Sequence, residues 1–87
     1  MGAQRALPEE VAQSLRQAFA AERDVRLPML REPDGALRAA HALASSAWVV
    51  GEREISTLAR SVEEHLEAGA EPTDLAALVH ALERYVP

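Results

Sequence analysis

Residues 39 to 66 read AAHALASSAWVVGEREISTLARSVEEHL: a run of small residues, a glycine at position 51, and then a strongly periodic stretch. After the glycine, Ile55, Leu58, Ala59, Val62 and Leu66 fall at i, i+3, i+4, i+7 and i+11, the spacing that gathers one apolar stripe on an α-helix. Before it, the segment from about Ala36 to Val50 holds no helix breaker, and Ala36, Ala40, Leu43 and Ala47 fall on one side of a helix. Gly51 supplies the residue that most easily adopts the positive φ of a helix terminus. Two helices joined by so short a connection pack side by side and run antiparallel.

The same reading extends outward in both directions. Upstream, Pro8-Glu9-Glu10 opens a helix, with proline tolerated in the first turn and acids favoured there, and Val11, Leu15, Ala18 and Phe19 share a face. Pro28 is expected to kink, split or stop this helix before Leu30. The sequence EPDG at residues 32 to 35 breaks the chain again, and Asp34 is a candidate N-cap for the second helix. Downstream, Gly69 ends the third helix, and after Pro72 a fourth carries Leu75, Leu78, Val79, Leu82 and Tyr85 on one side. No segment alternates as a strand does. The expectation is an all-α, up-and-down antiparallel four-helix bundle formed by residues 1 to 87 as a single domain, which is compatible with a module cut from a longer chain.

Composition agrees with helices and excludes several kinds of function. Hydrophobic residues make up 48% of the chain but the only aromatics are Phe19, Trp48 and Tyr85, so the interior must be built from Leu, Val and Ala, and Ala and Leu lead the helix-propensity scale. There is no cysteine, so disulfides and thiolate chemistry do not arise. No apolar run reaches the length of a membrane span, and a cytoplasmic protein with no membrane insertion is expected. The net charge of −5 lies wholly in the second half: residues 1 to 51 hold six acids and six arginines, residues 52 to 87 eight acids and three arginines. A phosphate backbone would repel such a surface, which argues against nucleic acid as a partner. A monomer is expected.

His41 stands out within this frame. It falls well away from the inward side of the second helix, beside Leu37, Ala44, Ser45 and Trp48, and is flanked by residues too small to hide it. Imidazole titrates near pH 6.5, so at neutral pH much of it is unprotonated and nucleophilic. An accessible neutral nitrogen is what a phosphoryl acceptor requires. His41 lies ten residues before Gly51 and Glu63 twelve after it, so in an antiparallel pair the two sit at similar height. Glu63 can accept a hydrogen bond from one ring nitrogen and leave the other free to attack; otherwise it is solvated, as Glu64 and Glu67 are expected to be.

These residues resemble the histidine-containing phosphotransfer (HPt) domain, whose signature runs approximately A-H-x-L-K-G-S-A, a glycine, then L-x-x-L-A-x-x-L-E. The match covers Ala40, His41, Leu43, Ser46, Ala47, Gly51, Ile55, Leu58, Ala59, Val62 and Glu63, and is nearest to the HPt modules of chemotaxis-type histidine kinases, including those associated with type IV pili. The resemblance implies that His41 accepts a phosphoryl group and Glu63 orients its ring. It implies as partners the receiver domain of a response regulator and the catalytic domain of a histidine kinase, with no cofactor in the domain itself and with Mg²⁺ and ATP held by partner domains. Two positions depart: Ala44 stands where the signature has lysine, and Ser45 where it has glycine. Arg38, one turn before His41, either replaces the missing cation or is a solvated surface residue. Leu37, Ala44, Ser45 and Trp48 are the candidate partner contacts, with Trp48 either capping the core or anchoring a docked domain. The rival expectation is an HPt-like bundle that docks partners without carrying phosphate.

Other features carry less. His65 and His80 lack metal-ligand spacing, so no metal site is expected. Ser45 and Ser46 lack a base and its orienting group. REISTLARSVEEHL is not followed by the basic recognition helix of a helix-turn-helix, and there is no glycine-rich nucleotide loop.

Overall fold

The computed structural model describes residues 7 to 87. Among them four α-helices follow one another, α1 (Glu9–Met29), α2 (Ala36–Val49), α3 (Arg53–Glu67) and α4 (Leu75–Arg84), with no strand. Each packs on its neighbour in sequence and α4 also meets α1. The expected all-helical architecture of four helices is therefore present. No helix among the described residues is long and apolar enough to cross a membrane.

Pro28 does not split the first helix. It sits in the last turn of a continuous α1, where the backbone bond it removes is one of the last available. The chain then leaves through tighter bonds, Leu30 N–H to the Leu27 carbonyl and Arg31 N–H to that of Pro28. The inward face of α1 also differs from the expected one. Phe19 and Ala20 are buried and Leu15 is half-buried, whereas Val11 and Ala18 are exposed. Contacts with the end of α4 set this roll: the Phe19 ring meets Tyr85 edge to face at 5.0 Å, and Arg23 Nη1 donates to the carbonyls of Leu82 and Tyr85, both at 2.8 Å. Burial, followed by the charge of Glu52, pushes the Tyr85 hydroxyl above its ordinary pKa.

Asp34 is exposed and does not cap α2. Gly35 holds the N-cap position, and the helix entry rests on backbone bonds, Ala36 N–H to Glu32 and Ala39 N–H to Gly35. None of the four helices starts with a side-chain cap bond. The C-terminal ends follow expectation: Gly51 at φ +81° and Gly69 at φ +72° let Glu52 N–H reach back to the Ala47 carbonyl and Ala70 N–H to that of His65, the bond pattern of a glycine-terminated helix.

The largest helix interface joins α2 to α3. Its basis is a row of small residues: Ala36, Ala39, Ala40, Ala44 and Ala47 are all buried with Leu43, so little bulk separates the two backbones. Ser56, also buried, uses the closeness to donate its hydroxyl to the Ala44 carbonyl at 2.8 Å. Ile55, Ala59 and Val62 complete the α3 side of the core. The buried face of α2 is thus wider than its spacing suggests and takes in Ala44. A lysine there would have to enter this contact, and Ala44→Lys is expected to destabilise the fold by about 1–3 kcal/mol, measurable as a lower denaturant midpoint.

Candidate functional site

His41 and Glu63 meet across the α2–α3 interface. Nδ1 of the imidazole lies 2.6 Å from Oε2 of Glu63, and the His41 side chain is 69% exposed while that of Glu63 is 17% exposed. The helix faces explain the pairing. Glu63 follows Val62, which is fully buried, so it stands at the edge of the packed stripe, and His41 stands at the matching edge of α2. A carboxylate can only accept, so Nδ1–H is the donor, and the ring's other nitrogen, Nε2, carries the free lone pair.

The surroundings form an open cleft of about 400 Å³ lined by Asp34, Leu37, Arg38, His41, Glu63 and Glu67. Every one of these comes from the turn before α2, from α2 or from α3. The cleft beside His41 therefore follows the α2–α3 seam, with no residue of α1 in its lining. Arg38 and Leu37 are exposed beside the histidine, so the guanidinium is the cation that shares the cleft with the imidazole. Glu67 and Asp34 enter the cleft although the sequence offered the first only as a solvated acid and the second only as an N-cap. Glu67 was findable, because it follows Glu63 by one helical turn; Asp34 lies in a turn whose path only the fold reveals.

Of the residues expected to contact a partner, Leu37, Ser45 and Trp48 are exposed. Ala44 is not: it is 3% exposed, packed beneath α3, and cannot present its side chain to another protein. Its burial has a second effect, since the position where the HPt signature has lysine is closed to a long charged side chain here. Trp48 is 58% exposed, with the Arg53 guanidinium 5.2 Å from its ring centre, so it lies on the surface under a cation instead of capping the core. Ser46 turns the other way and donates to Glu22 of α1 at 2.6 Å. His65 is held by its own helix, with Nδ1 2.7 Å from the Ser61 carbonyl, and His80 is exposed on α4.

Chemically, the pair supplies one oriented nucleophile. The carboxylate fixes the ring's rotation and tautomer, most of the His41 side chain is exposed, and the adjacent guanidinium can meet an anionic group bound there. With Glu63 intact, the neutral ring should populate the Nδ1–H form, read from ¹⁵N imidazole shifts in mildly alkaline buffer. Glu63→Ala should shift it toward Nε2–H; identical tautomer populations in the two proteins would show that the hydrogen bond does not form in solution.

Compared with protein-family models, with curated proteins and with solved structures, the chain matches none of them.

Proposed function

We propose that this chain is a histidine phosphotransfer module of a two-component phosphorelay or chemotaxis-like system, working in the cytoplasm as a single copy. His41 takes a phosphoryl group and passes it to the aspartate of a response-regulator receiver domain. The observation that carries this reading is the exposed imidazole whose Nδ1 is bonded to Glu63. The order of helix contacts, with α4 returning to α1, and the short connections between helices support an up-and-down antiparallel bundle, as in the HPt domains that residues 40 to 63 resemble.

The step is a transfer between a nitrogen and an oxygen. In delivery an oxygen of the receiver's aspartate attacks phosphorus of the Nε2 phosphoramidate, the P–O bond forms as the P–N bond breaks, and the electron pair returns to Nε2; loading from an aspartyl phosphate is the same step reversed. The Nδ1 proton stays in its bond to Glu63, which offsets the positive charge that the ring acquires. Arg38 meets the phosphoryl oxygens from the N-terminal side of the histidine. ATP and Mg²⁺ belong to the partner domains, the kinase catalytic domain and the receiver, and the chain acts as a phosphocarrier in or beside a histidine kinase.

A second reading, an HPt-like bundle that only docks partners, is favoured by one observation: the position of the signature lysine is buried as Ala44. The two separate by labelling. Treated with phosphoramidate, or with a kinase or charged receiver, the chain should acquire acid-labile, base-stable phosphate, and His41→Gln should lose it entirely. Partner binding without label would establish the docking-only reading. Arg38→Ala should slow labelling at least about tenfold, the lower end of the roughly 1.5–3 kcal/mol typical of a hydrogen bond to a charged group; an unchanged rate would remove Arg38 from the site.

A further inference from the structure

The exposed surface of α3 beside the histidine changes sign along its length. Arg53, Thr57, Arg60, Glu64 and Glu67 recur at intervals of four, three, four and three residues, which puts them on one strip, and all five are exposed. Four of its five members border α2. Arg53 lies over the Trp48 ring, Arg60 lines a recess of about 340 Å³ with Trp48, Ser56 and Thr57, and Glu67 lines the cleft with His41, Glu63 and Asp34. One end of the face is therefore basic and aromatic, and the other acidic around the histidine with Arg38 as its cation.

Folding does not account for this order. A helix favours acids at its N-terminus and cations at its C-terminus, and this strip has arginines first and glutamates last. The charges that do suit the helix, Glu54 in the first turn and His65 in the last, point elsewhere: Glu54 lines a recess shared with α4, and His65 bonds to the Ser61 carbonyl. A local preference overridden on one face, with the Arg53–Trp48 contact as the only return shown there, is expected where a surface serves recognition. The surface has the right span as well. Trp48 follows His41 by seven helical steps, about 10 Å along the axis, so a domain that brings a reactive group to Nε2 covers Trp48 with its adjoining surface.

We infer that this polarised strip fixes the orientation of the docked partner, a reading that rests on the phosphotransfer role of His41. The receiver domain places an apolar surface edged with carboxylates against Trp48, Arg53 and Arg60, and a cationic group toward Glu64 and Glu67. Opposite polarity in the partner is attracted in one orientation and repelled in the reverse one.

The test uses the full chain and the receiver domain that binds it most tightly in a bacterial panel, chosen by calorimetry. Phosphoramidate labelling, which involves no docked protein, measures the chemistry of His41 alone. In Arg53→Glu/Arg60→Glu the ratio of receiver transfer, as kcat/KM at low salt, to phosphoramidate labelling should fall at least about tenfold, with the loss in KM, and with a weaker dependence on salt than in the unaltered chain. Arg53→Gln/Arg60→Gln should fall between the two. A ratio within twofold of the unaltered chain in both double variants overturns the inference. Trp48 is the only tryptophan, so its fluorescence reports docking independently of phosphate. If it responds to the receiver in the unaltered chain but not in the Glu variant, while phosphoramidate leaves no label, the docking face stands and the acceptor role of His41 falls.

Discussion

The close approach of α2 to α3 is the constraint on which the site depends. It exists because the facing side of α2 is almost all alanine, and its consequences run outward from there. With so little bulk between the helices, Ser56 reaches a main-chain carbonyl on α2, Ile55, Ala59 and Val62 seat against Leu43, and the residues at the rim of the contact are brought within hydrogen-bonding range. His41 and Glu63 are such rim residues. Larger side chains on this face would force the helices apart or strain the rotamers around them, typically at a cost of about 1–3 kcal/mol, and the same separation would pull the carboxylate from the ring. Packing and site geometry are in this sense one property.

Much of this was legible in the order of residues, because helical periodicity and glycine punctuation act locally. The stripe from Ile55 to Leu66, the glycines at 51 and 69 and the flank position of His41 all depend on the backbone within a few residues of each. What escaped depends on partners distant in sequence. The roll of α1 is set by Phe19 and Arg23 meeting the end of α4, so the Val11 and Ala18 face could not be excluded from the core by its own spacing. The burial of Ala44 follows from how far α3 reaches around α2, and an alanine fits a surface or an interior equally well. Asp34 looked like a cap because its residue type favours that position, yet Gly35 occupies it and the turn closes through backbone bonds alone.

The electrostatics of the molecule divide between two tasks. Arg23 is spent inside the structure, tying α1 to the last carbonyls of α4. Arg38, Arg53 and Arg60 stand on the outer face of the α2–α3 pair with the histidine, and two of them are among the three cations in an otherwise acidic second half. Under the proposed role the chain's contribution is to offer a nitrogen at a fixed angle and to choose which domain reaches it.

The helix starts have a bearing on motion. Because no side-chain oxygen holds the first-turn amides at any of the four N-termini, those turns lack a stabilisation that is commonly about 1 kcal/mol per helix. Local opening should begin there and leave the middle of each helix intact. The first turn of α2 holds Leu37 and Arg38, the wall of the cleft, while His41 lies one turn deeper on firmer backbone. Under the proposed role the acceptor imidazole sits on the firmer part of α2, and a docking domain meets the part of the rim that opens first.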